Sequence, residues 1–313
     1  MKKIQVLLAT YNGASFLKEQ IDSVLSNFDK LSGFDCSILV SDDSSADETA
    51  CIISDYKLKD RRVIFLDGAR KGGVKANFNY LIQSADADYV FFCDQDDVWL
   101  DGKIKLFISK FELYGNEPLL IHSDLRVVDQ QLKTISQSMF DSQKIFKKPT
   151  LGQLLVSNSV TGCVMAINHS LLLKVKNKRI EDSIMHDWYL ALVAQCLGKL
   201  VFIDAQTILY RQHAHNQIGS VKRSRKDYFS VGGISKFIKK SRGSIMDTKK
   251  QSEVFLADFN SQLSARDKGF IIEYISSFNN NSLLNRLSLF LSLKVGKKGV
   301  IRNTIFFFLY VFK

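Results

Sequence analysis

Short apolar runs alternate with amphipathic stretches along the first two thirds of the chain. Ile4–Thr10 (IQVLLAT), Cys36–Asp42 (CSILVSD), Arg62–Asp67 (RVIFLD) and Asp88–Asp94 (DYVFFCD) have strand length and are largely apolar. Between them, Ala14–Ser26, a segment from about Asp47, and Val74–Ser84 space their apolar residues as helices do. Continuous apolar strands separated by helices predict a mostly parallel sheet covered on both faces. The predicted class is therefore α/β, doubly wound and Rossmann-like. Such sheets bind ligands beyond the carboxyl ends of their strands. After Leu100 the pattern loosens: Leu119–Asp129 and Gly162–Asn168 read as further strands and His186–Gly198 as a helix. Lys199–Gly219 reads as a strand running into a polar loop.

Polar residues gather at the four predicted strand ends. These are Thr10-Tyr11-Asn12-Gly13, Ser41–Ser45 (SDDSS), Leu66–Gly73 (LDGARKGG) and Asp94-Gln95-Asp96-Asp97. Turns favour Asp, Ser, Asn and Gly for conformational reasons alone, but four successive ends of this kind predict a polar ligand. Asp94 and Asp96 stand two residues apart, and crowding carboxylates is costly unless a cation is present. All-oxygen ligation suits Mg²⁺ or Mn²⁺, which bridge to substrate phosphates. Arg70, Lys71 and Arg211 are the cations expected to complement those phosphates. Asp97 is expected to cap a helix beginning near Leu100. Carboxylate pairs like this one serve nucleotidyltransferases, phosphatases and sugar transferases alike. A nucleotidyltransferase would want a Gly-rich, Lys-containing loop after the first strand, and ATYNGAS lacks the Lys.

Composition narrows the setting. The chain has 313 residues, 46% apolar and 24% charged, with mean hydropathy −0.03, which fits a globular protein and not a disordered one. Cys36, Cys51, Cys93, Cys163 and Cys196 are scattered without a CxxC pair, so reduced cysteines in a cytoplasmic protein are expected and a zinc site is not. The start MKKIQVLLATYNG has too short an apolar run for a signal peptide. Thr304–Phe312 (TIFFFLYVF) is about half of the roughly 20 residues a bilayer span needs, so no integral segment is expected. Net charge is +11, and the excess sits late in the chain. Val221–Lys250 holds ten Lys/Arg against two Asp, and Asn285–Lys313 holds six with no acid.

Four pieces together, LLATYNG, VSDDSSADET, FCDQDD and HDWYLAL, resemble family 2 glycosyltransferases, the inverting enzymes of the GT-A fold. The likeness covers about 210 residues in order and spacing. The segment LYRQHAHNQIG is similar to the subset that builds bacterial surface polysaccharides, including rhamnosyltransferases. The resemblance implies a GT-A catalytic domain over 1–220, with a nucleotide-sugar half at about 1–100 and an acceptor half at about 101–220. It implies that Thr10, Tyr11, Asn12, Asp43, Lys75, Asp94 and Arg211 form the donor site, with Tyr11 flanking a pyrimidine base and Asp43 accepting its imide N–H. Asp42 would shape the turn. Asp96, with Asp94 and His213, would hold Mn²⁺ or Mg²⁺, and His215 is a weaker partner. Asp187 matches the general base, although His186 stands where an acid is more common.

Two features of Asp187 agree with that role independently. It lies at a predicted helix start, where it could equally be a cap, and beside Trp188, an aromatic able to close over a sugar ring. Direct displacement at an anomeric carbon needs one base for the acceptor hydroxyl. His122 and Asp124 are further candidates for the acceptor cleft, and Thr161 for the sugar pocket. The expected donor is dTDP-L-rhamnose or a UDP-hexose, and the acceptor a glycan or lipid-linked glycan. The region 221–313 reads as a basic, apolar, mainly helical extension. Two readings stand for it: binding to the anionic cytoplasmic face of the cell membrane, or packing of Phe306–Phe312 onto the core. Nucleic acid is not expected, because no binding motif accompanies the charge. A non-catalytic scaffold would show damage at the acids, and Asp94, Asp96 and Asp187 are all present.

Overall fold

In β1 (Lys2–Thr10), Leu7 joins one hydrophobic cluster while Ile4, Val6 and Leu8 join another, as side chains alternating across a sheet must. The structure, a computed structural model, describes residues 1–213, 233–279, 283–292 and 295–312. β1 pairs in parallel with β2 (Phe34–Asp42) on one side and β4 (Tyr89–Cys93) on the other, and β3 (Val63–Asp67) lies outside β2. The sheet continues through β8 (Met165–Asn168), β6 (Leu119–Val128), β9 (Lys199–Arg211) and the two-residue β5 (Val98–Trp99). β8 and β5 run antiparallel to their neighbours, β6 and β9 are parallel to each other, and β7 (Thr134–Ser136) pairs with β6. All five residues of β4 are buried, the mark of a strand covered on both faces.

Helices α1 (Leu17–Asp29) and α4 (Lys103–Phe111) cover one face, packing Ile21, Val24, Ile104 and Phe107 against β1 and β4. The other face receives α3 (Val74–Ser84), α6 (Leu151–Val156), α7 (His169–Val175) and α8 (His186–Leu197). Helix α2 (Thr49–Lys59) and the short α5 (Met139–Ser142) complete the catalytic region. Residues 162–168, expected as one strand, divide into a 3₁₀ turn at Gly162–Val164 and the strand β8.

The late region is helical: α9 (Gly233–Phe259), α10 (Ala265–Ser276), α11 (Leu283–Ser292) and α12 (Val300–Val311). It packs onto the α8 face. Phe255 and Phe259 lie within about 6 Å of the Tyr189 ring, whose hydroxyl donates to Asp258 at 2.5 Å. Phe306 stacks on Tyr310 at 5.3 Å, and Phe306, Tyr310 and Val311 are buried in the same cluster as α8. The opposite side of α12 keeps Ile301, Phe308 and Phe312 exposed. No helix among the described residues is long and apolar enough to cross a membrane. His215, the loop around it, and the basic run from Val221 to Gly232 lie outside the described residues.

Candidate active site

The carboxyl ends of β1, β2 and β4 and the start of α8 open onto one cavity of about 1000 Å³. Thr10, Tyr11, Asp43, Asp94, Asp96 and Asp187 all line it. These six come from positions up to 177 residues apart in the chain, brought together by the strand order.

One wall is a set of locked turns. Asp42 is buried and accepts from Thr10 Oγ1 at 2.8 Å and from the Ser45 N–H and hydroxyl, so it braces the turn. Asn12, at φ 49°, donates its N–H to Ser45 and accepts from the Ala46 N–H through Oδ1. Its side chain therefore fastens the loop and does not line the cavity, correcting the expectation that it contacts the donor. Gln95 clasps the Tyr11 backbone on both sides, accepting its N–H at 2.8 Å and donating to its carbonyl at 3.0 Å. A Cβ at Gly13 would come within 2.3 Å of the Gln95 side chain, so this clasp requires glycine there. The Tyr11 ring remains 56% exposed beside the cavity, free to stack on a ligand.

Asp43 accepts the backbone N–H groups of Lys71, Gly72 and Gly73. Burial opposes its charge, yet these donors and nearby Arg70 hold the carboxyl below its ordinary value. Gly72 and Gly73 take φ of 97° and 112°, conformations that other residues resist. Lys71 itself pairs with Asp67 at 2.5 Å.

The opposite wall holds the crowded acids. Burial, then the charges of Asp96 and Asp187, push Asp94 up to about 7. Asp96 is also raised, burial outweighing the relief from His213, whose Nε2 lies 2.8 Å from its Oδ2. Burial pushes Asp187 up to about 6, against donation from the Trp188 N–H, the Asn158 side chain and the Gly162 backbone. Asp187 lies in the first turn of α8 without capping it. Beside it, His186 stacks on Phe78 at 4.1 Å, and burial drives it down to about 3, so it is neutral.

Six expected residues play other parts. Asp97 does not cap the next helix, whose N-cap is Gly102; it is buried and accepts the Arg211 N–H at 3.0 Å. The Arg211 guanidinium, only 2% exposed, is committed to the Asp96 and Gln130 carbonyls and Glu19, so it braces the loop instead of lining the cavity. Lys75 points away to the carbonyls of Glu181 and Ser183. Trp188 is buried, its indole N–H donated to the Leu154 carbonyl at 2.5 Å, and cannot close over a ligand. His122 and Asp124 are also core residues: His122 packs between Phe140 and Phe202, and Asp124 accepts from Leu125, Ser138 and Phe140. Apolar runs on both sides of β6 bury whatever sits within it.

Two contributors were not foreseen. Lys103 lies beneath the acids, fully buried, with Nζ donating to the Cys163 carbonyl at 2.8 Å and resting 3.7 Å from the Trp99 ring. Burial drives it down to about 8, while Asp97 and Asp94 favour its charge. Replacing Lys103 with Met is expected to lower the unfolding free energy by about 3–5 kcal/mol, as when a buried ion loses its partner. An unchanged urea midpoint would show that Lys103 does not neutralise the acids. The second is Arg302 of α12, which reaches the cavity from the far end of the chain and donates to the Gln143 carbonyl at 2.6 Å.

The family model for glycosyl transferase family 2 matches residues 5–176, more than half of the chain. The chain belongs to glycosyl transferase family 2. Among curated relatives, the dTDP-rhamnosyl transferase RfbG of Shigella flexneri is 32% identical over 244 residues, covering 72% of this chain and 78% of the relative. S. aureus TarS 1–349 in complex with UDP has the same fold, at TM-score 0.56 and 18% identity over 93% of this chain and 76% of that one. The chain spans 46% of the longer TarS crystal structure. The mannosyltransferase PcManGT of Pyrobaculum calidifontis, in complex with GDP-Man and Mn²⁺, gives TM-score 0.54 at 12% identity, covering 97% and 86%. The fold of this family 2 chain is GT-A, with a helical C-terminal region attached.

Proposed function

We propose that this chain is a metal-dependent, inverting glycosyltransferase of surface-polysaccharide synthesis, moving L-rhamnose from dTDP-L-rhamnose to a hydroxyl of a glycan or lipid-linked glycan. The observation that carries the reading is one cavity holding a Tyr11–Asp43 wall, an acid pair and a separate buried carboxylate. Asp43 keeps acceptor capacity for an imide N–H after its three backbone bonds, since a carboxylate offers about four acceptor sites. Uracil and thymine both carry that N–H, so a UDP-hexose is the second reading, favoured by the UDP complex of TarS.

Within the acid cluster, Asp94 and Asp96 are the carboxylates that reach the cavity, and they fit a hard divalent cation. A group of three also exists: ligand atoms of Asp94, Asp97 and Cys163 lie within 4.8 Å of one another. Its thiol and its fully buried Asp97 suit Mn²⁺ or Mg²⁺ poorly, and neither lines the cavity. Asp94 and Asp96 would therefore hold the ion, with His213 orienting Asp96 or joining it as a ligand. When bound, the ion would offset charge on the departing diphosphate. Asp187 takes the acceptor hydroxyl's proton as that oxygen attacks, and its raised proton affinity makes it a stronger base than an exposed Asp.

Calorimetry with dTDP, UDP and GDP, with and without Mn²⁺, tests this reading. Mn²⁺-dependent binding of dTDP or UDP, but not GDP, is expected, and Asp96→Ala should lose it. Cation-independent or base-indifferent binding would overturn it.

The exposed stripe Ile301, Phe308 and Phe312, on a helix in an acid-free basic region, supports peripheral docking on an anionic cytoplasmic leaflet. Ile301→Glu with Phe308→Glu is expected to cut sedimentation with phosphatidylglycerol vesicles at least fivefold. Equal sedimentation would remove the membrane from the proposal.

A further inference from the structure

A second, smaller cleft of about 240 Å³ adjoins the cavity. Gln143, Ile145, Asn158, Ser159 and Arg302 line both, so the two are continuous. Asn158 also hydrogen-bonds Asp187, so the junction lies beside the proposed base.

The lining of this cleft has an unbalanced charge. Among the described residues it contains Lys144, Lys297, Lys298 and Arg302, and no carboxylate. Two of these cations meet no acid among the described residues: Lys298 donates to the Ile145 carbonyl at 2.7 Å and lies over the Phe146 ring, and Arg302 donates to the Gln143 carbonyl. Lys297 is largely buried near Arg302, a like charge that, after burial itself, lowers its proton affinity. Cations gathered this way repel one another unless an anion joins them. A polar side chain supplies a second observation: Ser159 is 2% exposed, its hydroxyl has no hydrogen-bond partner, and it lines the cleft. Such a hydroxyl keeps hydrogen-bonding capacity for a ligand at the cleft.

The donor's nucleobase is badly placed for this cleft. The Asp43 turn follows β2, whereas Ser159 lies in the loop leading to β8. The order β2-β1-β4-β8 separates these strands by three intervals, roughly 14 Å. Through Asn158, which hydrogen-bonds the proposed base Asp187, the cleft is on the acceptor side, and three of its four cations, Lys297, Lys298 and Arg302, come from the segment that carries the exposed apolar stripe.

We propose that Lys144, Lys297, Lys298, Arg302 and Ser159 form an anion subsite for a phosphate or diphosphate on the acceptor. The inference rests on the glycosyltransferase reading for the word acceptor. It further requires that the sugar attacked lie close to that phosphate, since the subsite meets the cavity at Asn158. A neutral glycan far from any phosphate would leave the cleft unused.

The test uses the full chain in EDTA, so that no metal-held phosphate contributes. Inorganic pyrophosphate is titrated calorimetrically into wild type, Lys144→Gln, and the double variant Lys298→Gln with Arg302→Gln. Affinity is expected to fall at least tenfold in the double variant and severalfold in Lys144→Gln, whose exposed side chain makes misfolding an unlikely confounder. Lys298→Arg, which keeps the charge, should bind like wild type. Equal pyrophosphate affinity in wild type, Lys144→Gln and the double variant would overturn the subsite, as would binding to none of them. Farnesyl diphosphate separates the sources. Affinity tenfold above pyrophosphate identifies a lipid-linked phosphate, and equal affinity a water-soluble phosphorylated acceptor. Mn²⁺-dependent nucleoside diphosphate binding is followed in parallel. Its absence from wild type, with pyrophosphate binding intact, defeats the transferase reading and not the anion site.

Discussion

Asp187→Asn is expected to lower the transfer rate about 10²–10⁴-fold, the usual contribution of a positioned general base, while leaving Mn²⁺-dependent nucleotide binding within twofold. The substitution keeps the shape of the side chain and its place at the start of α8, and its amide oxygen can still accept the Trp188 N–H. What it removes is the ability to take a proton. Because burial holds the Asp187 carboxyl up to about 6, the base form is lost below that pH. Wild-type kcat/KM should therefore rise tenfold per pH unit in the acid range and level off above about pH 6. The Asn variant should lack that limb. A variant retaining more than a tenth of the rate, or showing the same acid limb, would remove Asp187 from the chemistry.

The second large effect concerns the acid pair and its cation. With no divalent ion, Asp94 binds its proton up to about pH 7, whereas an unfolded Asp has released it near 3.8. Between those values the folded chain holds more protons than the unfolded one, so stability falls as pH rises. Asp187 adds to the same trend up to about pH 6. The metal-free protein should thus melt higher at pH 5 than at pH 8. A bound cation reverses the penalty by pairing with the ionised pair. Mn²⁺ at about 100 times its dissociation constant adds about 2.7 kcal/mol, about 5 °C for a chain of this size, at pH 8 and much less at pH 5. Asp96→Ala should abolish the Mn²⁺ increment and lower kcat/KM by about 10³ or more, the several kcal/mol expected of a Lewis acid. An equal Mn²⁺ shift at both pH values, or one preserved in Asp96→Ala, would place the ion elsewhere.

The wall built from strand ends was legible in the sequence because it is made locally. Each strand end delivers its own turn, and Thr10, Tyr11, Asp43, Asp94 and Asp96 reach the cavity through strand order alone. The misjudged residues are those whose partners lie far along the chain. Arg211 was read as a phosphate ligand because its charge is visible, while Glu19, 192 residues earlier, is not evidently its partner. His122 and Trp188 have functional-looking side chains, but β6 and α8 carry them into the interior. Lys103, Arg302 and Ser159 gave no signal, because a lysine in an amphipathic helix or an arginine in a basic tail ordinarily faces water. Only the packing of α4 under the acids, and of α12 against the α5 loop, gives them meaning. The late region's two sequence readings are not exclusive, since α12 buries Phe306 and Tyr310 while leaving Phe308 outward.

On the proposed reading, the reach of Arg302 into the cavity separates the two substrate preferences along the gene. The turns after β1, β2 and β4 complete the nucleotide side within the first hundred residues. The wall facing it is finished only when the last helix docks. Drift or recombination in the codons of α12 could then redirect which acceptor is extended without disturbing the donor, and on that reading α12 must be made before a nascent chain can select an acceptor at all.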